Sequence, residues 1–158
     1  MKHKRVIFPI FVLLCMAVIF FFSSQNAKTS QGLSDEVAIK ALEIKSEIIN
    51  KEATEQEKEN YIVNTRTLIR KGAHFTIYLL LGIFVFMTLK SYQIKHAFLY
   101  SILFCFFYAC TDEFHQLFIN ERTARIFDIL IDTSGASVGV LFLDILYKKK
   151  CKRKISSV

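Results

Sequence analysis

Cysteine and proline are scarce in this chain, and each shortage narrows its interpretation. The four cysteines lie in apolar segments or in a basic tail, without the spacing of a disulfide framework or a zinc site. We therefore expect reduced cysteines that act as packing residues. The single proline, Pro9, lies near the start of an apolar run, where a membrane helix tolerates a kink. No internal repeat is visible, so we expect the 158 residues to form one compact domain.

Hydrophobicity and charge are both high for a soluble protein. The chain is 53% hydrophobic and contains sixteen phenylalanines, yet its formal net charge is +7. A membrane protein with basic flanks has this composition. Nucleic-acid binding is the other common explanation of a basic chain. Because the charges stand beside apolar runs rather than on one soluble face, we expect no nucleic-acid partner.

Four apolar runs are candidates for membrane-spanning helices, at 6–22, 74–89, 97–111 and 126–147. The first run follows a basic start, as in a signal peptide, but no A-x-A cleavage site follows it, so we predict a retained helix. The second run is about 24 Å long as a helix, whereas a bilayer core is roughly 30 Å thick. Its helix should therefore extend outward through Arg70 and Lys71. The predicted fold is all-α, an integral membrane bundle of four transmembrane helices.

The polar segment 26–71 is predicted to be an extracytoplasmic helical insert that leads into the second membrane helix. Ser34 is a typical N-cap for a helix that runs to about Ile49. Thr54 and Glu57 form a capping box for a second helix, which should continue directly into the second apolar run. Residues 1–158 thus form a single membrane domain that carries this insert.

The distribution of positive charge predicts the orientation in the membrane. The N-terminus, the turn at 90–95 and the tail after residue 147 contain Lys and Arg but no Asp or Glu. By the positive-inside rule these parts lie in the cytoplasm, so both termini are cytoplasmic. The insert and the 112–125 loop then face outward from the cell membrane.

This topology brings polar residues of all four helices to one outer membrane level. Asp112, His115 and Gln116 share one face of a helix. Carboxylates within apolar helices are costly and tend to mark function. The predicted polar pocket consists of Ser24, Gln25, Arg70, Lys71, His74, Tyr78, Asp112, Glu113, His115, Gln116, Arg122, Asp128 and Asp132.

Small residues continue the acidic stripe of the fourth helix. Asp128 and Asp132 are one turn apart, and Gly135 and Gly139 follow on the same stripe. We predict that the two glycines form a groove in which another helix packs closely.

The buried carboxylates have two interpretations, which the sequence leaves open. Asp128 and Asp132 could pair with Arg70 or Arg122 and hold helices together, since buried carboxylates are normally paired. They could equally bind a ligand or take part in catalysis, because they cluster with histidines.

A metal site is chemically feasible but lacks a sequence signature. Asp112, His115, Asp128 and His74 are of the types that bind zinc or manganese. No H-E-x-x-H-type spacing is present, so we predict no metal and no cofactor.

Several of these motifs together resemble the VanZ-like family. They are FSSQ at 22–25, RKGAHFTIYLLLG at 70–82, DEFHQLF at 112–118, and the spacing of Arg122, Asp128, Asp132 and Gly135. The resemblance covers the membrane helices but not residues 26–60, and Asn120-Glu121 stand where the family usually has proline. It implies a bacterial multi-pass membrane protein. The founding member of the family is associated with teicoplanin resistance, and the resemblance implies no established reaction.

The predicted function is the binding of an amphiphile by an outer-leaflet pocket of a cell-envelope protein. A lipid-linked phosphate of wall synthesis or a lipoglycopeptide would suit the pocket, and membrane lipids are the expected surroundings. Arg70, Lys71 and Arg122 would hold the anion. A membrane hydrolase or transferase, with His74 or His115 in acid–base catalysis, is one alternative. A non-catalytic accessory subunit is the other, and we favour binding over catalysis.

Overall fold

Four long helices make up most of the chain. The computed structural model describes residues 2–24, 32, 35–44, 54–119 and 125–156, and this part of the chain is helical with short turns and no strand. The long helices are α1 (Lys2–Ser23), α2 (Glu55–Ser91), α3 (Ala97–Gln116) and α4 (Ile126–Ser156). Each is long and apolar enough to cross a membrane. The predicted all-α fold with four membrane-spanning helices is confirmed.

The longest helix, α2, begins at the predicted capping box. The Thr54 hydroxyl accepts a hydrogen bond from the Glu57 backbone N–H, and the Glu57 carboxylate accepts one of 2.9 Å from the Thr54 backbone N–H. The helix then continues through 37 residues without a break. At 1.5 Å per residue it is about 55 Å long. Since this exceeds the roughly 30 Å of a bilayer core, α2 extends beyond the apolar part of a membrane.

The helix predicted within the insert is described in part. Residues 35–44 are helical, whereas Ser34 and residues 45–53 lie outside the described residues. Arg66 of α2 donates a side-chain hydrogen bond to the Asp35 carboxylate. Ala38 is fully buried. The contact between Arg66 and Asp35 joins the helical segment to the part of α2 that precedes its apolar run.

Helices α2 and α4 make the closest contact of the bundle, and glycines of α4 allow it. A Cβ atom added to Gly135 would collide with the Phe75 carbonyl oxygen, and one added to Gly139 would collide with that of Leu79. The predicted packing glycines therefore face the backbone of α2. Their position brings the turns of α2 and α4 that carry polar side chains into contact.

An apolar core fills the middle of the bundle. Buried residues of all four helices pack together there, among them Ile19, Leu81, Cys105 and Ala136. Cys15 and Cys105 are buried and free, as expected of packing residues. Large apolar side chains cover much of the outer surface; Phe127, for example, is 74% exposed. Such an outer surface suits a lipid environment.

Basic residues are concentrated at the end of the bundle opposite the polar side chains described below. Arg5 donates a hydrogen bond of 3.1 Å to the Ser91 carbonyl oxygen and lies over the Tyr92 ring. Lys148 pairs with Asp144 at 2.6 Å. We call the end that carries Arg5 and Lys148 the basic end of the bundle. At the same end, Gln93 in the turn between α2 and α3 has a φ of 62°.

Candidate functional site

A cluster of polar side chains lies between the four long helices at the end opposite the basic end. We define the polar cluster as Ser23 of α1, His74 and Tyr78 of α2, Asp112 and Gln116 of α3, and Asp132 of α4. Its members other than His74 are buried, and Ser23, Tyr78 and Asp132 have no exposed surface. Every long helix thus contributes at least one polar group to this interior site.

Hydrogen bonds hold the α1–α3 side of the cluster. The Ser23 hydroxyl donates to Asp112 Oδ2 at 2.9 Å. The Gln116 amide donates to the same oxygen at 3.1 Å and to the Ser23 hydroxyl at 3.4 Å. Asp112 and Gln116 are one turn apart, so their contact follows from the helix itself. These bonds orient the Asp112 carboxylate within the bundle.

The α2–α4 side of the cluster is less well satisfied. His74 Nδ1 lies 3.5 Å from Asp132 Oδ2, which is long for a hydrogen bond. Neither Asp132 oxygen, nor the Tyr78 hydroxyl, has a well-formed hydrogen bond to any residue that the structure describes. Buried polar groups are nearly always hydrogen-bonded. These three atoms are therefore the unsatisfied part of the cluster.

Three potential ligand residues converge in the cluster from three different helices. One nitrogen of His74 and one oxygen each of Asp112 and Asp132 all lie within 4.8 Å of one another. This set differs from the one considered from the sequence, which contained His115 and Asp128. An imidazole and two carboxylates at this separation can bind a cation.

His115 and Asp128 lie around the cluster rather than within it. The His115 ring stacks on Phe20, with ring centroids 4.8 Å apart. Asp128 Oδ1 lies 3.6 Å from Lys71 Nζ, and both side chains are partly exposed. Asp128 and Lys71 therefore form an ion pair at the rim of the site.

Glu113 is buried and hydrogen-bonds to the backbone just before α4. Its carboxylate accepts a hydrogen bond of 2.9 Å from the Arg125 backbone N–H. A carboxylate at this place accepts a hydrogen bond from an N–H group that has no partner within the helix, near the start of α4. The positive end of the helix dipole also stabilises its negative charge. Glu113 thus ties the end of α3 to the start of α4, outside the cluster to which its neighbour Asp112 belongs.

Arg70 lies one turn of α2 before His74, on the same face of the helix. It is half-buried, and none of the described carboxylates forms an ion pair with it. The pairing of Asp128 or Asp132 with Arg70, considered from the sequence, is therefore replaced by contacts with Lys71 and His74. Arg70 remains available at the rim.

Of the two serines at the end of α1, Ser23 belongs to the cluster and the predicted Ser24 does not. Ser24, a predicted pocket residue, is exposed and donates its hydroxyl to the Phe21 carbonyl oxygen at 2.9 Å. Ser23 instead points into the cluster. Cys15, Ile19 and Ser23 recur every four residues on the buried face of α1, and this spacing is the signal that identifies Ser23. Gln25 and Arg122, also predicted pocket residues, lie outside the described residues.

An apolar groove runs between α1 and α2 beside the cluster. Its volume is about 430 Å³, within the range of small-molecule sites. Val18, Ile19 and Phe22 line one side, and residues between 72 and 80 line the other. His74 belongs to this lining and to the polar cluster, so the groove and the cluster meet at His74.

Fold and site define a class before any comparison with other proteins. The described residues form helices, and four of these are long and apolar enough to cross a membrane, which is typical of a multi-pass membrane protein. A family model described as VanZ/LLP1 matches residues 8–147, which is most of the chain. The chain therefore belongs to the VanZ/LLP1 family, and the resemblance seen in its motifs is confirmed. Comparisons with curated proteins and with solved structures found no match.

Proposed function

We propose that this protein binds an amphiphile, with the apolar tail in the α1–α2 groove and an anionic head at Arg70 and Lys71. The observation that carries the proposal is the position of His74, which lines the apolar groove and also belongs to the polar cluster. A molecule with one apolar and one polar part would contact both regions at once.

The groove by itself supplies little of the affinity for an amphiphile. Lipid tails are as apolar as the groove lining, so burial of a tail supplies little driving force within a bilayer. Specific affinity must then come from the head group. The charged side chains at the rim are the groups that can bind such a head group.

Two cations at the rim suit an anionic head. Arg70 is half-buried and forms no ion pair with a described carboxylate, and a guanidinium binds phosphate or carboxylate through two parallel hydrogen bonds. The Lys71–Asp128 separation of 3.6 Å is long, so Lys71 can exchange this partner for a ligand. Arg122, predicted to assist, lies outside the described residues.

The proposed ligand is a molecule of the bacterial envelope, which this chemistry and membership of the family support. A lipid-linked phosphate of wall synthesis has the required tail and anion, and so does a lipoglycopeptide such as teicoplanin. Basic residues such as Arg5 and Lys148 at the opposite end support a cytoplasmic position for both termini. The polar cluster would then face the outer leaflet, where these molecules are found.

Mass spectrometry of lipids retained by the purified protein tests the proposal. We expect a specific anionic amphiphile in the native protein, and several-fold less of it in Ala73→Phe, which fills the groove, and in Arg70→Gln. Val138→Phe is the matched control, because Val138 is 50% exposed on α4, outside the groove lining. Equal retention by Ala73→Phe and Val138→Phe would contradict binding in the groove.

Catalysis is the second candidate, and the His74–Asp132 contact favours it. A histidine oriented by a buried aspartate is a common arrangement for general acid–base chemistry. A hydrolase or transferase acting on the head group of the same amphiphile would use this pair. Substitution of His74, described in the Discussion, separates the two functions.

A further inference from the structure

We propose that His74, Asp112 and Asp132 bind one divalent transition-metal ion, zinc or manganese, within the helical bundle. One ligand atom of each residue lies within 4.8 Å of the other two. The residues come from α2, α3 and α4, so an ion at this place would bind three helices together. His74 also lines the groove, but Asp112 and Asp132 lie inside the bundle and outside the groove lining, so metal binding does not require the proposed amphiphile.

The two carboxylates of the proposed site are buried without a lysine or arginine partner among the described residues. Asp132 is fully buried and Asp112 is 4% exposed. Lys71 of α2 pairs with Asp128 instead, and no arginine or lysine among the described residues pairs with Asp112 or Asp132. Buried charges are normally paired or coordinate a metal. A divalent ion would neutralise both carboxylates at once.

The Tyr78 hydroxyl is a further buried polar group that an ion at this place would satisfy. Tyr78 is fully buried, and its hydroxyl has no hydrogen-bond partner among the described residues. Tyr78 lies one turn of α2 after the ligand His74, on the same face of the helix. A buried hydroxyl without a partner is costly, and a water molecule on the ion would give it one.

The residues around the ligands have the arrangement of a supporting shell. Ser23 and Gln116 hydrogen-bond to Asp112 Oδ2, and partners of this kind orient metal ligands. Metal–ligand bonds of about 2.0–2.2 Å place neighbouring ligand atoms about 3.4 Å apart in a tetrahedral site. Binding would therefore draw the three side chains slightly inward. Imidazole together with carboxylates suits zinc and manganese.

The test is the metal content of the full-length protein, purified in detergent with a tag that contains no histidine. After growth with added zinc or manganese, elemental mass spectrometry should find about one ion per chain in the native protein. Asp132→Asn and His74→Gln should each reduce this content at least tenfold. Asp144→Asn, a buried acid at the basic end, and His96→Gln, an exposed histidine, are matched controls that should retain the ion.

A thermal measurement keeps the test decisive if a variant folds poorly. Native protein stripped with a chelator should gain thermal stability when zinc or manganese is returned, whereas stripped Asp132→Asn should not. Less than about 0.1 ion per native chain, with no stabilisation by either metal, would overturn the proposal. Equal metal content in the site variants and the controls would overturn it as well. Lipid analysis of the same samples shows separately whether the amphiphile is bound.

Discussion

Substitution of Gly135 by alanine tests whether the contact between α2 and α4 sets the geometry of the polar cluster. A Cβ atom at this position would collide with the Phe75 carbonyl oxygen. The obstacle is backbone, so no rotation of a side chain relieves it, and the two helices must move apart. Phe75 follows His74 directly, and Gly135 lies one turn after Asp132. The separation would therefore widen the His74–Asp132 contact, which already measures 3.5 Å.

The expected magnitude comes from two opposing effects. Overpacking of a tight interface costs about 1–3 kcal/mol, whereas replacing glycine by alanine within a helix returns about 1 kcal/mol of helix propensity. Because the collision is with the backbone of a packed helix, we expect overpacking to dominate and Gly135→Ala to lower the stability of the protein. Gly72→Ala in α2 is the matched control. An added Cβ there meets no atom within 4 Å, so only the gain in propensity should remain.

Thermal unfolding of the two variants in the same detergent compares these effects, and metal content reports on the cluster. Gly135→Ala should unfold at a lower temperature than the native protein and should bind less metal. Gly72→Ala should unfold at an equal or higher temperature. A Gly135→Ala protein as stable as Gly72→Ala, with full metal content, would show that the close backbone contact does not determine the site.

Three further outcomes are expected. If the protein is a binder, Arg70→Ala should reduce growth in the presence of teicoplanin more than His74→Gln does, whereas catalysis would make His74→Gln lose about 10²–10⁴-fold in activity. In a cysteine-free background, an impermeant thiol reagent applied to intact cells should label Glu57→Cys but not Gln93→Cys; labelling of the latter alone would reverse the proposed orientation. Gln93→Gly should raise the unfolding temperature slightly, because φ is 62° at this position and glycine adopts that conformation without the steric cost of a side chain, about 1 kcal/mol; an unchanged or lower temperature would argue against strain in the turn.

The sequence alone was sufficient for the architecture. Four apolar runs predicted four long helices because length and composition are local properties of a segment. The capping box at Thr54 and Glu57 located the start of α2, since its hydrogen bonds join residues only three apart. The combined motifs also indicated the family. Each of these inferences depends on neighbours in the chain, and the structure or the family comparison agrees with each one.

The sequence was less informative about which polar residues meet. Ser23 and Ser24 are adjacent and chemically identical, but successive residues of a helix point about 100° apart. Only the packing of α1 within the bundle turns Ser23 inward and leaves Ser24 exposed. On α3, the same angle of about 100° between successive residues places Asp112 inside the cluster and directs Glu113 to the Arg125 backbone N–H.

The arrangement of His74, Asp112 and Asp132 was decided by the tertiary structure. A metal motif within one helix has a spacing that can be recognised, because its ligands lie one turn apart. Here each residue lies on a different helix, so no spacing in the chain encodes their approach. The glycines of α4 bring α2 and α4 into backbone contact, and the packing of α3 against both helices adds Asp112. The composition of each segment therefore determined which helices form, while the rotation and separation of packed helices determined which side chains share one interior site.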